Sequence, residues 1–493
     1  MKKHFITLNR QACVRVLFFS LILLFAAHAF CFFNLTYSSP SVMFNAANGY
    51  RAQMSGGVYL QPYYWRLRGE LAAPLLIGLL CAAYMTLNAM LTADLLHCSH
   101  PLTLFLLCGS LIANGAVTSE LAAHLHTADA LFLSQLMGTA GVFLCMRMRF
   151  GFIPGAALFA GSLGMHSGGF SCAAALMLIV SISDVLRGEA GKPAMLRAGK
   201  TLLGLAAGAA LYAAGYLVLV LLRGFDAEAM LQLPSGGSLL SAWLAPVRTL
   251  FAPLTAYVHM NVLLRAVIAC LCVCAVFLAA SRLGARRFAA LLIPALLLPF
   301  MVNLPVFSSA SAGQYPLSFV YLDVFAIMLL GAAWHMLPAC QPVRCAATAC
   351  FSVLFLSATV FSNQVYLKKN LEMQSTLSVM TRVIDRIEQT EGYRPGYTPV
   401  ALVGTLEDSA LSIPHQGFEH LTALEAASGN YVIASYEDAI WYAYQIIGYP
   451  LNFVSTYDQE RLSAREDIMA MPAFPFDGCI RYVGDTLVVK LSD

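Results

Sequence analysis

Charge is what this sequence has least of. Only 11% of its 493 residues are Asp, Glu, Lys or Arg, against about 25% in an ordinary soluble domain. With 59% hydrophobic residues, a soluble single domain is excluded. The net charge of +3 supplies no basic field to attract nucleic acid. Nucleotide-binding loops are missing too, with no GxxxxGK[ST] and no GxGxxG. No CxxC pair or His/Cys cluster has zinc spacing; no cofactor is expected, and a divalent-cation requirement stays open. Thirteen of the fourteen cysteines lie in the first 350 residues, mostly in apolar runs, where a free thiol acts as a small hydrophobe. Cys479 stands alone in the remainder and cannot staple its own domain, so no structural disulfide is expected there. No repeat at solenoid period is present.

The few charges are unevenly placed. Residues 364–493 carry 9 Lys/Arg and 17 Asp/Glu, whereas residues 1–363 carry only 20 and 9. The first part reads as an α-helical polytopic membrane domain (1–363), the second as a small extracytoplasmic α/β domain (364–493). A spanning helix needs about 20 apolar residues. The apolar runs predict about eleven spans, at 13–34, 72–95, 101–119, 129–147, 151–166, 169–187, 201–222, 262–281, 289–305, 317–338 and 345–363. Glycine-rich 151–169 also reads as a hairpin that dips in and returns. The first run follows Lys2, Lys3, Arg10 and Arg15 but is long for a cleaved signal, so it reads as a retained helix.

Lysine and arginine bias sets the expected orientation. With the N-terminus in the cytoplasm, fourteen cations fall on inner segments, among them Arg147, Arg187, Arg197 and Arg344. Five fall on outer loops: Arg51, Arg66, Arg68, Arg223 and Arg248. An odd number of spans then places the tail outside. The outer segments are 35–71, 120–128, 223–261 and 306–316. In the tail, 366–391 reads as an amphipathic helix with Leu377, Met380, Val383, Ile384 and Ile387 on one face. "VALVG" and "LNFVS" read as strands, "YEDAIWYAYQIIG" and "DQERLSAREDIMAM" as helices. "CIRYVGDTLVVKL" reads as a hairpin turning at Gly484-Asp485.

Polar residues beside or inside apolar spans are costly and mark candidate sites. The first outer loop sets Arg51, Arg66, Arg68 and Glu70 among Gln61, Tyr63, Tyr64 and Trp65. Aromatic rings suit the apolar face of a sugar, and guanidinium grips phosphate bidentately. The same residues also read as an interfacial aromatic belt with snorkelling arginines. The second loop groups Glu120, His124, His126 and Asp129. A carboxylate near a histidine serves as general base or metal ligand; equally, Thr127 and Asp129 read as the cap and first turn of a helix. His166 lies in a glycine-rich turn, with a structural role the commoner outcome. Asp323, inside a span, lines a transport path or bonds a neighbouring helix.

The pattern resembles the bacterial Gtr-type polytopic glucosyltransferases that modify surface polysaccharides. The resemblance rests on "LQPYYWRLRGELAAPLLIGLL" (60–80), "HTAD" (126–129), "NQVYLKKNLE" (363–372), "GYRPGYTPVALVG" (392–404) and "CIRYVGDTLVVKLS" (479–492). It implies a C-type glycosyltransferase architecture, a polyprenyl-phosphate hexose donor, and an envelope polysaccharide acceptor on the outer face. It further implies an acidic base in the first outer loop and arginines on the lipid phosphate. The chain departs from the family where the base is expected. Residues 35–71 contain no aspartate, and "SSPS" stands in place of His-Asp. Gly57-Val58 replaces Gly-Arg, Thr127 replaces a second acid, and His166-Ser167 replaces Tyr-Gln.

The acids left for catalysis are Asp129, then Glu120 and Glu70. Arg51, Arg66 and Arg68 are the phosphate candidates, and Tyr64 and Trp65 the sugar-stacking candidates. Gln61, His124, His126 and His166 complete the substrate-binding set. Two rival readings remain open. One is a non-catalytic relative that binds a polyprenyl lipid or an active enzyme. The other is a lipid-carbohydrate flippase built around Asp323.

Overall fold

A computed structural model describes residues 7–38, 54, 56–70, 72–188, 192–224, 239–251, 258–304, 317–336, 341–421, 424 and 427–492. Arg51 and the whole of the expected outer segment 306–316 lie outside the described residues. The chain divides into two compact units. One holds Met1–Phe33, Tyr50–Leu121 and Leu125–Asn363; the other holds Asn34–Gly49, Ala122–His124 and Gln364–Asp493.

The larger unit is helical. Its elements are α1 (Arg10–Phe33), α2 (Gln61–Arg68), α3 (Pro74–Leu95), α4 (Pro101–Ile112), α5 (Gly115–Arg147), α6 (Phe152–Met165) and α7 (Ser167–Leu186). They continue as α8 (Lys192–Arg223), α9 (Leu239–Phe251), α10 (Val258–Arg282), α11 (Ala285–Val302) and α12 (Val320–Met336). The 48-residue α13 (Gln341–Glu388) carries the chain from this unit into the other. Seven described helical stretches are long and apolar enough to cross a membrane. Three more apolar helices, Phe152–Met165, Arg287–Val302 and Leu317–Ala333, are shorter.

Three expectations change. The apolar run 101–119 is not one helix. It breaks after Ile112, because the Asn114 side chain accepts from the Val117 N–H (2.9 Å) and donates to the Ser110 carbonyl (3.0 Å). That competes with the helix ladder and starts a new helix. The expected loop 120–128 is instead helical within α5, interrupted only by non-helical backbone at His124 (φ −130°, ψ 40°). The last apolar run and the amphipathic stretch after it are one continuous helix, α13.

Close helix crossings rest on small residues. A Cβ added to Gly138 of α5 would lie 2.5 Å from the Gly169 carbonyl oxygen of α7, and one added to Gly169 would lie 2.5 Å from the Ser134 carbonyl oxygen.

The smaller unit contains a four-stranded sheet. Its elements are β1 (Pro399–Val403), α14 (Tyr436–Tyr442), β2 (Asn452–Phe453), α15 (Thr456–Ser463), α16 (Glu466–Met469), β3 (Ile480–Val483) and β4 (Thr486–Lys490). Strand order is β2-β1-β4-β3, with β1 parallel to both neighbours and β3–β4 an antiparallel hairpin. The hairpin turns at Gly484-Asp485, as Val483 pairs with Thr486.

The sheet buries both faces, which explains the unbroken apolar run of β1. Val400, Leu402, Leu487 and Val489 pack with Met380, Val383, Ile384 and Ile387 of α13. Ala401, Val403 and Val488 pack with Leu462, Ile468 and Met471 on the other side. Leu377, expected on the inner face of the helix, is exposed. Ser435 and Asp438 close a reciprocal cap at the start of α14. The segment expected as one helix over 458–471 is two, α15 and α16, separated at Ala464-Arg465.

The crossing at Gly169 is directly testable. Gly169→Leu is expected to destabilise the solubilised protein by about 1–3 kcal/mol, as overpacking does, read as a lowered melting temperature. Gly199→Ala is the control, since a Cβ there meets nothing within 4 Å and alanine favours helix; it leaves the melting temperature unchanged or raises it.

Candidate functional site

The short helix α2 is specified locally. Pro62 sits in its first turn, and Gly69 closes it in the left-handed conformation (φ 97°), its N–H bonding the Arg66 carbonyl. Arg66 and Arg68 occupy the last turn, where the helix dipole favours cations. The segment is fastened on its N-terminal side. The Leu60 N–H donates to the Gly164 carbonyl of α6 (2.8 Å), and the Tyr212 hydroxyl of α8 donates to the Gly57 carbonyl (2.9 Å). Tyr59 stacks on Tyr212, with ring centroids 5.5 Å apart.

So held, α2 directs Tyr64 and Arg68 at Asp129 of α5. Arg68 Nη1 lies 2.6 Å from Asp129 Oδ1, and the Tyr64 hydroxyl donates to Oδ2 at 2.9 Å. Arg68 Nη2 donates to the His126 carbonyl (2.9 Å). Tyr84 of α3 meets the Tyr64 hydroxyl at 3.3 Å. The Arg68 and Asp129 side chains are 2% and 0% exposed, so water screens this ion pair very little. Burial, and next the Asp129 charge, raise the Tyr64 phenol far above its ordinary value. Tyr64 is therefore a hydrogen-bond donor at any physiological pH.

The structure thus joins Tyr64, Arg68 and Asp129, with His126 contributing through its backbone. Other candidates stay apart from this cluster. Glu70 and Glu120 bond neither Asp129 nor Arg68. Glu70 pairs with Arg66 at 3.5 Å, both largely exposed, a contact of small energetic weight. Glu70 is nonetheless unusual, since it takes a left-handed backbone (φ 60°) directly after Gly69. Such positions cluster at functional sites in side-chain-bearing residues.

Three assignments are corrected. Trp65 is 1% exposed, so its ring packs in the bundle and offers no face to a sugar. Gln61 is likewise buried. Arg68, expected on phosphate, holds the Asp129 carboxylate in this structure. His166 is a helix cap: its Nδ1 accepts from the Gly168 N–H (3.0 Å), and its carbonyl accepts from Ser134 Oγ (2.7 Å). His124 is exposed, at the break in α5. Among the described residues, no group of three or more His, Cys, Asp or Glu is arranged to hold a metal.

Three further acids in helices each have a basic partner. Asp323 receives a two-pronged contact from Arg265 (2.6 and 3.2 Å). Asp94 binds Arg147 (2.8 Å) and accepts from the Thr7 and Leu8 N–H groups, both at 2.7 Å. Asp184 binds Arg197 (2.7 Å).

Several groups escaped the sequence reading. Tyr84 gave no signal beyond a tyrosine in an apolar run. Asn88 and Thr139 share a buried hydrogen bond of 2.6 Å, beside the Tyr321 hydroxyl. In the smaller unit, Lys368, Lys369 and Glu372 are buried together. Lys369 Nζ sits 2.8 Å from Glu372, and Lys368 donates to the Ala427 carbonyl. The doubled lysine was visible in "NQVYLKKNLE", but lysines after an apolar run ordinarily reach for solvent.

No family model, curated protein or solved structure matches this chain. The reading of the site therefore rests on its own geometry.

Removing either partner of the Arg68–Asp129 pair leaves a buried charge uncompensated. Arg68→Met and Asp129→Asn are each expected to cost about 3–5 kcal/mol, while the double substitution costs less than the sum. A double-mutant cycle on melting temperatures checks this, and strict additivity of the two losses contradicts it.

Proposed function

We propose that this protein is a membrane glycosyltransferase that moves a hexose from a polyprenyl-phosphate donor to an envelope polysaccharide. In this reading the N-terminus is cytoplasmic, and the site and the tail face outward. The observation that carries it is the buried Arg68–Asp129–Tyr64 constellation, offered by a helix of the first long inter-span segment. A carboxylate oriented by a guanidinium and a phenol has the parts needed to take a proton and to hold an anion.

In the transfer, an acceptor hydroxyl oxygen bonds to the sugar's anomeric carbon as the bond from that carbon to the phosphate oxygen breaks. Asp129 receives the hydroxyl proton. The polyprenyl phosphate departs with the electron pair, and Arg68 balances its added charge. The donor phosphate competes with Asp129 for Arg68, so donor binding unmasks the base. Arg66, exposed on the same helix, is a second cation there.

A second reading has one observation in its favour. Both Asp129 oxygens are already engaged, one by Arg68 and one by Tyr64, as in a purely structural pair. That arrangement suits a non-catalytic relative. The flippase reading draws less support, because Asp323 has a structural partner in Arg265.

The test uses the full chain in membranes with radiolabelled polyprenyl-phosphate glucose and envelope polysaccharide. Label is expected to pass to the polymer. Asp129→Asn is expected to slow transfer by about 10²–10⁴-fold, the usual weight of a general base. A folded wild type that transfers no label, or an Asp129→Asn variant with unchanged turnover, refutes Asp129 catalysis.

A further inference from the structure

The smaller unit has a cavity of about 360 Å³ lined by Gln374, Ser375, Ser378, Arg382, Leu411 and Tyr431. That volume lies within the roughly 300–1,000 Å³ of small-molecule sites. The first four residues project from one side of α13, at the spacing that places side chains together on a helix. Among the described residues, the side chains of Gln374, Ser375 and Ser378 make no hydrogen bond. Arg382 lies over the Phe474 ring (5.5 Å) and, among the described residues, makes no hydrogen bond. Packing and folding therefore leave an amide, two hydroxyls and a guanidinium unused around a single hollow.

The opposite wall is fixed. The Tyr431 hydroxyl donates to the Leu411 carbonyl (2.8 Å), and the Val432 N–H donates to Thr376 Oγ1 of α13 (2.9 Å). The Asn430 N–H bonds Glu407, and the Asn430 side chain bonds Ser412 (2.9 Å). Tyr431 thus brings an immobilised side chain, its hydroxyl already satisfied, to the same hollow as polar groups that are not. A lining that mixes aromatic, aliphatic and hydrogen-bonding groups suits a pyranose ring, with apolar C–H on its faces and hydroxyls around its edge.

We infer that this cavity is a saccharide-binding subsite that takes one or two neutral sugar units of the acceptor polysaccharide. The identification of the sugar as acceptor rests on the transferase reading; the binding itself does not. Charge favours a neutral chain. Residues 364–493 hold 9 Lys/Arg against 17 Asp/Glu, a net of −8, which repels an anionic polymer. Val379, Leu411 and Tyr431 supply the apolar part of the lining. A subsite here keeps the acceptor tethered between transfers and raises its local concentration.

The experiment separates the two claims. Full-length protein in nanodiscs is titrated with envelope polysaccharide of the source organism, released from lipid by mild acid, and binding is read by saturation-transfer NMR. No donor and no turnover are involved. Wild type is expected to saturate. Ser378→Trp, which fills the hollow from an exposed helix position, and Arg382→Ala are each expected to weaken binding by about tenfold, or 1.4 kcal/mol. An unchanged melting temperature certifies both variants. In the transfer assay the same variants raise the acceptor KM and leave kcat and the donor KM alone. Binding that is lost in the variants, from a chain without transferase activity, upholds the subsite and removes the transferase reading. No binding by wild type, or equal binding by both variants, overturns the subsite whatever the transfer assay gives. Polygalacturonate binding as well as the neutral chain overturns the preference for a neutral ligand.

Discussion

An arginine and an aspartate joined out of reach of water constrain how the larger unit is put together. Neither Arg68 nor Asp129 can be withdrawn alone, because the one left behind would keep its charge in a dry place. Helix α2 is only eight residues long, far below the length at which a helix holds itself together in water. It persists because Pro62 starts it, Gly69 closes it and its last turn is bolted to α5. The bolt also explains Trp65 and Gln61: once Arg68 and Tyr64 point at Asp129, those neighbours face the bundle as well.

The same rule governs the other acids of the apolar helices. Asp94, Asp184 and Asp323 each meet an arginine. An isolated carboxylate in such surroundings is costly, and pairing is the usual remedy. Asp94 shows a second use of the remedy, since it also receives the backbone of Thr7 and Leu8 and so anchors the chain just before α1. Arg147 of that pair and Asp129 lie on one helix, 18 residues apart, which at 1.5 Å per residue is about 27 Å. α5 therefore carries a buried ionic contact near each end of its apolar stretch.

Helix content was legible because apolar length is a strong signal, and the described parts of the apolar runs are mostly helical, with 101–119 broken at Ala113-Asn114. The breaks were not. Asn114 ends one helix and starts another through two side-chain bonds, and a single asparagine in an apolar run has no fixed meaning until its partners are known. His124 interrupts α5 with no glycine or proline to announce it. In the tail, the strand VALVG and the Gly484-Asp485 hairpin were readable because turn chemistry and period agree there. At the site, Asp129 and Arg68 were both singled out, but their partnership was not, because the residues are 61 apart in sequence and nothing local couples them. Trp65 was misread for a related reason: a tryptophan near a span fits an interfacial belt and a packed core equally well, and only the rotation of α2 decides.

That rotation bears on how such a site could turn over. In the transfer proposed above, Arg68 cannot leave Asp129 for nothing, since a bare guanidinium in the bundle is as unwelcome as a bare carboxylate. An arriving phosphate meets the first cost, because it replaces one anion at the fork by another in a geometry guanidinium accepts equally well. The second cost falls on Asp129, which must then find a proton, and the nearest chemical source is the hydroxyl about to attack. Tyr64 holds Oδ2 throughout, so the oxygen that Arg68 releases, Oδ1, is the one free to receive it. In the proposed transfer, that exchange would couple donor arrival to activation of the acceptor. It also explains why a resting site would keep its base covered: a carboxylate released early, without phosphate at Arg68, would serve no substrate and would loosen a contact that holds α2.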